Sequence, residues 1–222
     1  MGRDIVLKKL KKGSRALIII GVLLELFSLP MLIMMIGEDT AAVVTFIVMM
    51  IVGGIMIYIG ISHINHPERT SAMKKDPLLL YKADELFSDL KYEDKFIYMS
   101  SRLVANKGNI AEIAFYDEIF QIHLFRQTTN FITTSKMLVL STPKRQLNIN
   151  VYGKKDDEIN ALASRIAQNC PNARVGYTAE NNQYLANIRS RFRHLPDPHA
   201  VDYQQPPQQQ VYQQPQSYNG FQ

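Results

Sequence analysis

The sequence predicts an α+β membrane protein: a transmembrane hairpin of two helices, a small antiparallel β half-barrel with a C-terminal helix, and then a disordered Gln/Pro tail. Two apolar stretches near the N-terminus predict the hairpin. Short segments of alternating hydrophobicity predict the β domain over 95–178. The last twenty residues contain no charge and nine glutamines, which is typical of a disordered tail over 196–222.

The two apolar stretches are long enough to cross a bilayer. Residues 16–36 contain one charged residue, Glu25, and residues 41–61 contain none. At about 1.5 Å per residue, each stretch forms a helix about 31 Å long, which matches the hydrocarbon core. The first stretch is longer than the apolar core of a secretory signal, and the second follows at once. We therefore predict an uncleaved hairpin over 16–63.

The distribution of basic residues predicts the orientation of this hairpin. Six basic residues lie in the juxtamembrane segment 1–15, and Arg69, Lys74 and Lys75 follow the second span. The connector 37–40 is acidic and has no basic residue. Since cytoplasmic flanks carry the excess of Lys and Arg, we expect both termini in the cytoplasm.

Three polar residues within the spans, Glu25, Ser28 and Thr45, are candidate intramembrane sites. A carboxyl near the middle of a membrane costs about 2–3 kcal/mol on insertion scales. Antiparallel packing places Glu25 at the depth of Gly53, where the absence of a side chain leaves room. Glu25 is then either a neutral carboxyl that joins the helices or a group that handles protons or ions. The spans contain no basic residue and no second acid, which favours the first interpretation.

A linker and helix over 64–94 precede the β domain. Asp76-Pro77 is typical of an N-cap and first turn, so we expect a helix from there to about Leu90. After residue 94 the hydrophobic residues recur with a period of two instead of a helical period. This predicts one strand over 97–105 and then further strands over 110–115, 119–126, 131–140 and 147–151. A helix over 156–169, an extended segment over 173–177 and a terminal helix within 179–195 follow.

Five or six antiparallel strands capped by an amphipathic helix predict a pleckstrin-homology-like (PH-like) half-barrel. Four segments also support a resemblance: 101–104 (Ser-Arg-Leu-Val), 119–122 after Asp117-Glu118, 156–159, and Pro171-Asn172 leading to 175–178. Through them, residues 97–177 resemble the PH-like domain of uncharacterised bacterial membrane proteins with N-terminal transmembrane helices. The resemblance implies a fold and a location, the bacterial cytoplasmic (cell) membrane with multi-pass topology. It implies no reaction.

The motifs of common enzymes and metal sites are missing from the sequence. One cysteine, Cys170, excludes an internal disulfide and any CxxC site. His63 and His66 supply two ligands where a metal site needs three or four. His123 is expected on the exposed face of a strand, away from Cys170. No dinucleotide-binding, phosphate-binding or nucleic-acid-binding motif accompanies the net charge of +5. We therefore predict no enzyme, no cofactor and no metal.

Basic residues provide the candidate contacts with lipid headgroups or a protein partner. These candidates are Lys8, Lys9, Lys11, Lys12, Arg102, Arg126, Lys144 and Arg145. The alternative is that they are ordinary solvated charges. In the tail, the repeated Tyr-Gln-Gln-Pro unit is either a flexible spacer or a short linear motif for a cytoplasmic partner.

The leading functional hypothesis is a membrane-anchored, non-enzymatic interaction module. Its PH-like domain would be held at the cytoplasmic face to bind a membrane partner or lipid headgroups. The alternative is a subunit of a small oligomeric channel, or a transporter accessory, that uses Glu25 in the membrane. The expected partners are the lipid bilayer and a cytoplasmic or membrane protein, with a homo-oligomer left open and nucleic acid excluded.

Overall fold

A computed structural model shows two long antiparallel helices, α1 (Gly2–Met35) and α2 (Thr40–Asn65), at the start of the chain. The structure describes residues 1–35, 37, 40–129, 132–192, 195 and 198–199. Both helices are long and apolar enough to cross a membrane. Between them Gly37 adopts a positive φ of 94°, which is suited to glycine in a tight turn. The predicted acidic residues of that turn, 38 and 39, lie outside the described residues.

Helix α1 begins well before the first predicted span. The basic segment 1–15 is helical from Gly2 and continues into the apolar part without a break. Pro30 lies within the helix and does not end it. Helix α2 ends at Asn65, and a 3-10 turn (Pro67–Arg69) follows, since Pro67 lacks the backbone N–H that would continue the helix.

The predicted linker contains a short helix, and the predicted helix from Asp76 to Leu90 is shorter than expected. Thr70 caps α3 (Ser71–Lys75) by accepting a hydrogen bond from the Met73 amide. Asp76 Oδ1 accepts a hydrogen bond from the Leu78 amide at 3.2 Å, and α4 (Leu79–Ser88) starts only after that turn. Leu90 already belongs to a strand.

Among the described residues, eight short strands form two four-stranded sheets, which confirms the α+β class. Sheet A contains β1 (Leu90–Glu93), β2 (Ile97–Ser100), β3 (Leu103–Asn106) and β4 (Ile113–Phe115), all antiparallel and in that order. Sheet B contains β5 (Gln121–Thr129), β6 (Ile132–Ser141), β7 (Gln146–Asn150) and β8 (Arg174–Val175), in the order β7-β6-β5-β8. Strand β8 is parallel to β5, whereas the other pairs are antiparallel. Two helices complete the domain, α5 (Asp156–Ala167) and α6 (Ala179–Phe192).

The prediction of one strand over 97–105 was wrong. The chain reverses at Ser101-Arg102, so that β2 and β3 form a hairpin. The Ser100 hydroxyl stabilises this reversal by accepting a hydrogen bond from the Leu103 amide at 3.0 Å. Alternation continues through the turn in the sequence, and therefore the pattern alone could not reveal the break.

After the reversal, Ile97 and Met99 of β2 lie in one core, and Leu103 and Ala105 of β3 lie in another. One core lies between the sheets and α5, and it contains residues such as Ile97, Met99, Ile122, Leu138, Leu147, Ile159 and Ile166. The other core joins sheet A to α4 and the start of α1, and it contains Val6, Leu79, Ala83, Leu86, Leu103, Ala105, Ile110, Ile113 and Phe115. Sheet A is thus covered on both faces, and all four residues of β3 are buried.

The end of the chain is described only in part. Helix α6 ends at Phe192, and of the predicted tail over 196–222 the structure describes Pro198 and His199 alone. The His199 ring stacks on Phe115 at 3.8 Å between ring centroids, and its Nε2 lies 3.1 Å from Asp117 Oδ1. The repeated Tyr-Gln-Gln-Pro units lie outside the described residues.

Candidate functional site

The two apolar helices pack through a stripe of small residues. Ser14, Gly21 and Ser28 are buried at intervals of seven along α1, and Gly53 and Gly60 are buried at the same interval along α2. A Cβ atom on Gly21 would lie 2.7 Å from the Gly53 carbonyl oxygen. The helix backbones are therefore in direct contact, which is how helices associate when no hydrophobic effect drives them together.

Glu25 lies in this contact, at the depth that the antiparallel register predicts. Its Oε1 is 2.9 Å from the position that a Cβ on Gly53 would occupy. The Ser28 hydroxyl donates to the Leu24 carbonyl at 2.7 Å, and the Thr45 hydroxyl donates to the Ala41 carbonyl at 2.9 Å. Both hydroxyl protons are used within their own helices, so neither is shared with Glu25. This arrangement is typical of a helix–helix contact.

We expect Gly53→Leu to separate the two helices, whereas Gly54→Leu should leave them in place. A side chain at Gly53 meets Glu25 and the Gly21 carbonyl oxygen, but a Cβ at Gly54 is 3.7 Å from Glu25 Oε1 and makes an ordinary contact. Spin labels at the exposed positions Val22 and Ile55 can report the interhelical distance in bilayers. An unchanged distance in Gly53→Leu would show that the backbones do not touch there.

The N-terminal turns of α1 dock on the β domain. Val6 is fully buried in the core that contains α4. A Cβ on Gly2 would lie 2.0 Å from the Ala83 carbonyl oxygen, so no larger residue fits at this point. The Arg3 amide donates to Asp84 Oδ1 at 2.8 Å. We call this contact between α1 and α4 the helix–domain joint.

Lys9 also connects α1 to the β domain, whereas Lys8, Lys11 and Lys12 make no such hydrogen bond among the residues that the structure describes. Its Nζ donates to the carbonyl oxygens of Lys107 at 3.0 Å and Gly108 at 2.7 Å, in the turn between β3 and β4. Burial, with a smaller effect of Lys12, lowers the pKa of Lys9. Lys8 and Lys12 are exposed and Lys11 is half-buried.

A cluster of buried charges lies where α4 meets the sheets. Lys82, only 1% exposed, has its Nζ 3.5 Å from Asp76 Oδ2 and 3.8 Å from Glu118 Oε2. Arg145 Nη2 lies 2.7 Å from the same Asp76 oxygen and also donates to the Ile113 carbonyl. Asp76 Oδ2 meets both cations as ion pairs, without a hydrogen bond of good geometry. Arg145 therefore stabilises the fold.

The two remaining arginines among the candidate contacts also have intramolecular partners. Arg102 Nη1 lies 3.1 Å from Glu85 Oε1, and its guanidinium is 5.3 Å from the centroid of the Phe115 ring. Arg126 Nη2 lies 2.9 Å from Asp156 Oδ2 at the start of α5. Lys144 is exposed in the turn between β6 and β7 and has no carboxylate partner in the part of the chain that the structure describes.

A groove of about 1260 Å³ lies between the outer face of sheet B and α6, and we call it the outer groove. Val139 and Leu185 line it and are 4% and 5% exposed. Gln121 closes one end, where its Nε2 donates to the Gly176 carbonyl at 3.1 Å and to Asn182 Oδ1 at 2.9 Å. Within the part of the chain that the structure describes, the cations in its lining are Arg126, Lys144 and Arg189, and the lining contains no carboxylate.

His123 lines the outer groove and is only 9% exposed, so the expectation of an exposed histidine was wrong. Alternation along β5 placed it correctly on the outer face, but α6 and Tyr177 cover that face. The His123 and Tyr177 ring centroids are 4.9 Å apart. His123 Nδ1 has no hydrogen-bond partner in the part of the chain that the structure describes, and burial lowers the pKa of this imidazole.

Other chemistry-bearing groups are not brought together. Burial raises the pKa of Cys170 to about 12, which makes its thiol unreactive near neutral pH. No group of three or more His, Cys, Asp and Glu side chains in the described ranges could hold a metal ion. Comparisons with protein-family models, curated proteins and solved structures give no match to this chain. Its function is therefore inferred from its own contacts.

Proposed function

We propose that this chain is a non-enzymatic, multi-pass protein of a bacterial cell membrane that presents a PH-like binding domain in a fixed orientation at the cytoplasmic face. The observation that supports this most directly is the continuity of α1. The helix runs without interruption from Val6, buried in the domain, to Met35 in the apolar hairpin. Over 34 residues it is about 51 Å long, and a helix is much stiffer than a coil linker.

A stiff connection has a consequence for binding. A domain confined to the membrane layer encounters membrane-bound partners at a raised effective concentration, and this gain requires that the binding face can reach them. The helix–domain joint limits rotation of the domain and thereby selects which face is presented. Weak contacts with a partner in the same membrane then become sufficient.

The proposed partner is a protein and not a layer of lipid headgroups. Lys9, Arg102 and Arg145 are engaged within the chain, so the predicted basic residues do not form one free rim. Lys8 and Lys12 remain exposed, and such charges contribute about 1 kcal/mol each at an anionic membrane surface. They support the anchor, whereas the outer groove has the apolar floor that a protein contact requires.

The channel-subunit alternative takes second place. Glu25 lies inside the contact between α1 and α2 of one chain, against the backbone at Gly53. A carboxylate that lines a pore would instead face a lumen between copies. The hairpin therefore supports anchoring better than conduction.

Topology can be tested with single cysteines and a membrane-impermeant maleimide on intact cells. Thr40→Cys at the turn should react, whereas Lys144→Cys in the domain should react only after permeabilisation. The buried Cys170 thiol gives a low background. Reaction of Lys144→Cys in intact cells, or release of the full-length chain into the supernatant without detergent, would overturn the proposal.

The role of the stiff helix can be tested by a flexible insertion. A Gly-Gly-Ser insertion between Lys12 and Gly13 leaves Val6 docked but interrupts α1 between the domain and the membrane. We expect crosslinks to membrane partners to decrease while the domain keeps its stability. A matched insertion in the turn at Gly37 should leave the crosslinks unchanged, and equal crosslinking by both variants would contradict a fixed orientation.

A further inference from the structure

The lining of the outer groove is complementary to a negatively charged ligand. Arg126, Lys144 and Arg189 lie along it, and none of the described residues that line the groove is acidic. Arg126 is paired with Asp156 of α5, but Lys144 and Arg189 have no carboxylate partner among the residues that the structure describes. Two cations at one groove thus remain available for an anion from outside the chain.

The groove also offers apolar contacts beside these charges. Val139 and Leu185 form buried surface in it, and Phe125 at its edge is 43% exposed. Tyr177, 70% exposed, lies over His123 at the same groove. Tyr177 and Arg189 line the same groove, and tyrosine and arginine are enriched among the residues that contribute most to the energy of protein contacts.

His123 is a second and independent sign of a ligand. Its side chain lies in the groove and is nine-tenths buried, yet its Nδ1 has no hydrogen-bond partner among the residues that the structure describes. Leaving a buried polar atom without a partner destabilises a fold, and such atoms are uncommon in native structures. A ligand that supplies a hydrogen bond at this position would satisfy the atom.

The size of the groove favours a peptide over a small molecule. Its volume of about 1260 Å³ exceeds the roughly 300–1000 Å³ that is usual for small-ligand pockets. We infer that the outer groove binds an acidic peptide segment of a partner protein, with carboxylates against Arg189 and Lys144 and an apolar or aromatic side chain over Val139 and Leu185. The inference rests on the proposed function and names its binding site and the chemistry of its partner.

The test uses a random peptide library presented to the full-length protein in lipid nanodiscs. We expect enrichment of acidic peptides that contain an aromatic or large aliphatic residue. Affinity for a selected peptide should fall roughly tenfold or more in Arg189→Glu, which reverses one groove charge. The variant Arg189→Lys keeps the positive charge and should therefore keep most of the wild-type affinity. Arg191→Glu on the same helix is the matched control, because Arg191 does not line the groove, and it should bind normally.

A second variant separates binding from folding. His123→Phe keeps a planar ring against Tyr177 but removes the unpartnered nitrogen, so the domain should remain folded and equally resistant to protease. Its affinity for the selected peptide should nevertheless decrease by roughly fivefold or more, as expected for one lost hydrogen bond. Unchanged affinity in both His123→Phe and Arg189→Glu would overturn the inference.

Other occupants are outcomes of the same experiment. No enrichment, or enrichment of neutral or basic peptides, overturns the inference. Tight competition by a synthetic peptide of residues 203–222 would assign the groove to the uncharged tail of this chain, and binding of oleate without any acidic peptide would assign it to a lipid-derived anion. Either result overturns the partner-peptide inference. The cysteine labelling above is independent of the groove, so a failure here leaves the membrane topology intact.

Discussion

Replacing Val6 by aspartate is expected to detach α1 from the β domain and to lower the domain's free energy of unfolding by about 3 kcal/mol or more. Val6 is fully buried against Leu79, Ala83 and Leu86 of α4. The substitution removes an apolar side chain worth about 1.5–3 kcal/mol of burial and places a carboxylate where no water can reach it. The helix would have to leave the joint to hydrate that charge.

Hydrogen–deuterium exchange of the full-length chain in detergent micelles measures this effect. Peptides that cover β3 and β4 should exchange faster in Val6→Asp, because these strands share a hydrophobic core with Val6 and α4. Lys8→Asp is the matched control, since Lys8 is exposed on the same helix, and its exchange should remain that of the wild type. If β3 and β4 exchange in Val6→Asp at the wild-type rate, α1 is not packed on the domain through Val6, and the fixed-orientation proposal fails.

Asp76→Asn is expected to destabilise the domain by about 3–5 kcal/mol, the range seen when one member of a buried ion pair is removed. Asp76 is 4% exposed and is the shared partner of Lys82, which is almost fully buried, and Arg145. Asparagine has the same shape and keeps an oxygen for the Leu78 amide, so packing changes little. It removes the negative charge, however, so both cations lose their shared counter-ion, while Lys82 keeps the ion pair with Glu118, whose oxygen lies 3.8 Å away.

Denaturant unfolding followed by tyrosine circular dichroism can measure this loss, since the chain contains 11 tyrosines and no tryptophan. Asp84→Asn is the matched control. It removes the charge of a half-exposed carboxylate that lies beside Arg3 in the helix–domain joint, outside the buried cluster, and should change stability by no more than about 1 kcal/mol. Adding Lys82→Met to Asp76→Asn should recover part of the lost stability, because it removes one of the two cations that share Asp76 as a counter-ion. Equal stability of Asp76→Asn and Asp84→Asn would mean that the cluster is solvated.

These two substitutions concern the same structural question, which is how the apolar hairpin and the domain are joined. Val6 provides the apolar part of the joint, and the charged cluster fixes α4, on which α1 rests. A binding module that must present one face to its partner needs both. A module on a flexible linker would need neither. The sizes of the two stability losses therefore distinguish a rigidly connected domain from a flexibly linked one.

The sequence by itself determined the hairpin, because length and uninterrupted apolarity are local properties and no tertiary contact is needed to recognise them. It also placed Glu25 opposite Gly53, since the register of an antiparallel hairpin follows from counting residues from a short turn. Strand β7 was predicted for a similar reason: its residues are buried and exposed in alternation, and one-sided burial produces a clear period.

Only the tertiary structure decided which surfaces those elements cover. Strands β2 and β3 are covered on both faces and the alternation continues through the turn between them, so the pattern could not separate the two strands. Lys82, Arg145 and His123 look like surface residues in a sequence, and each is buried or paired because an element distant along the chain packs over it. The docking of Val6 on α4, across more than seventy residues of chain, has the same origin. Local patterns report the environment on one side of an element, whereas the joint and the outer groove arise between elements that the chain brings together only on folding.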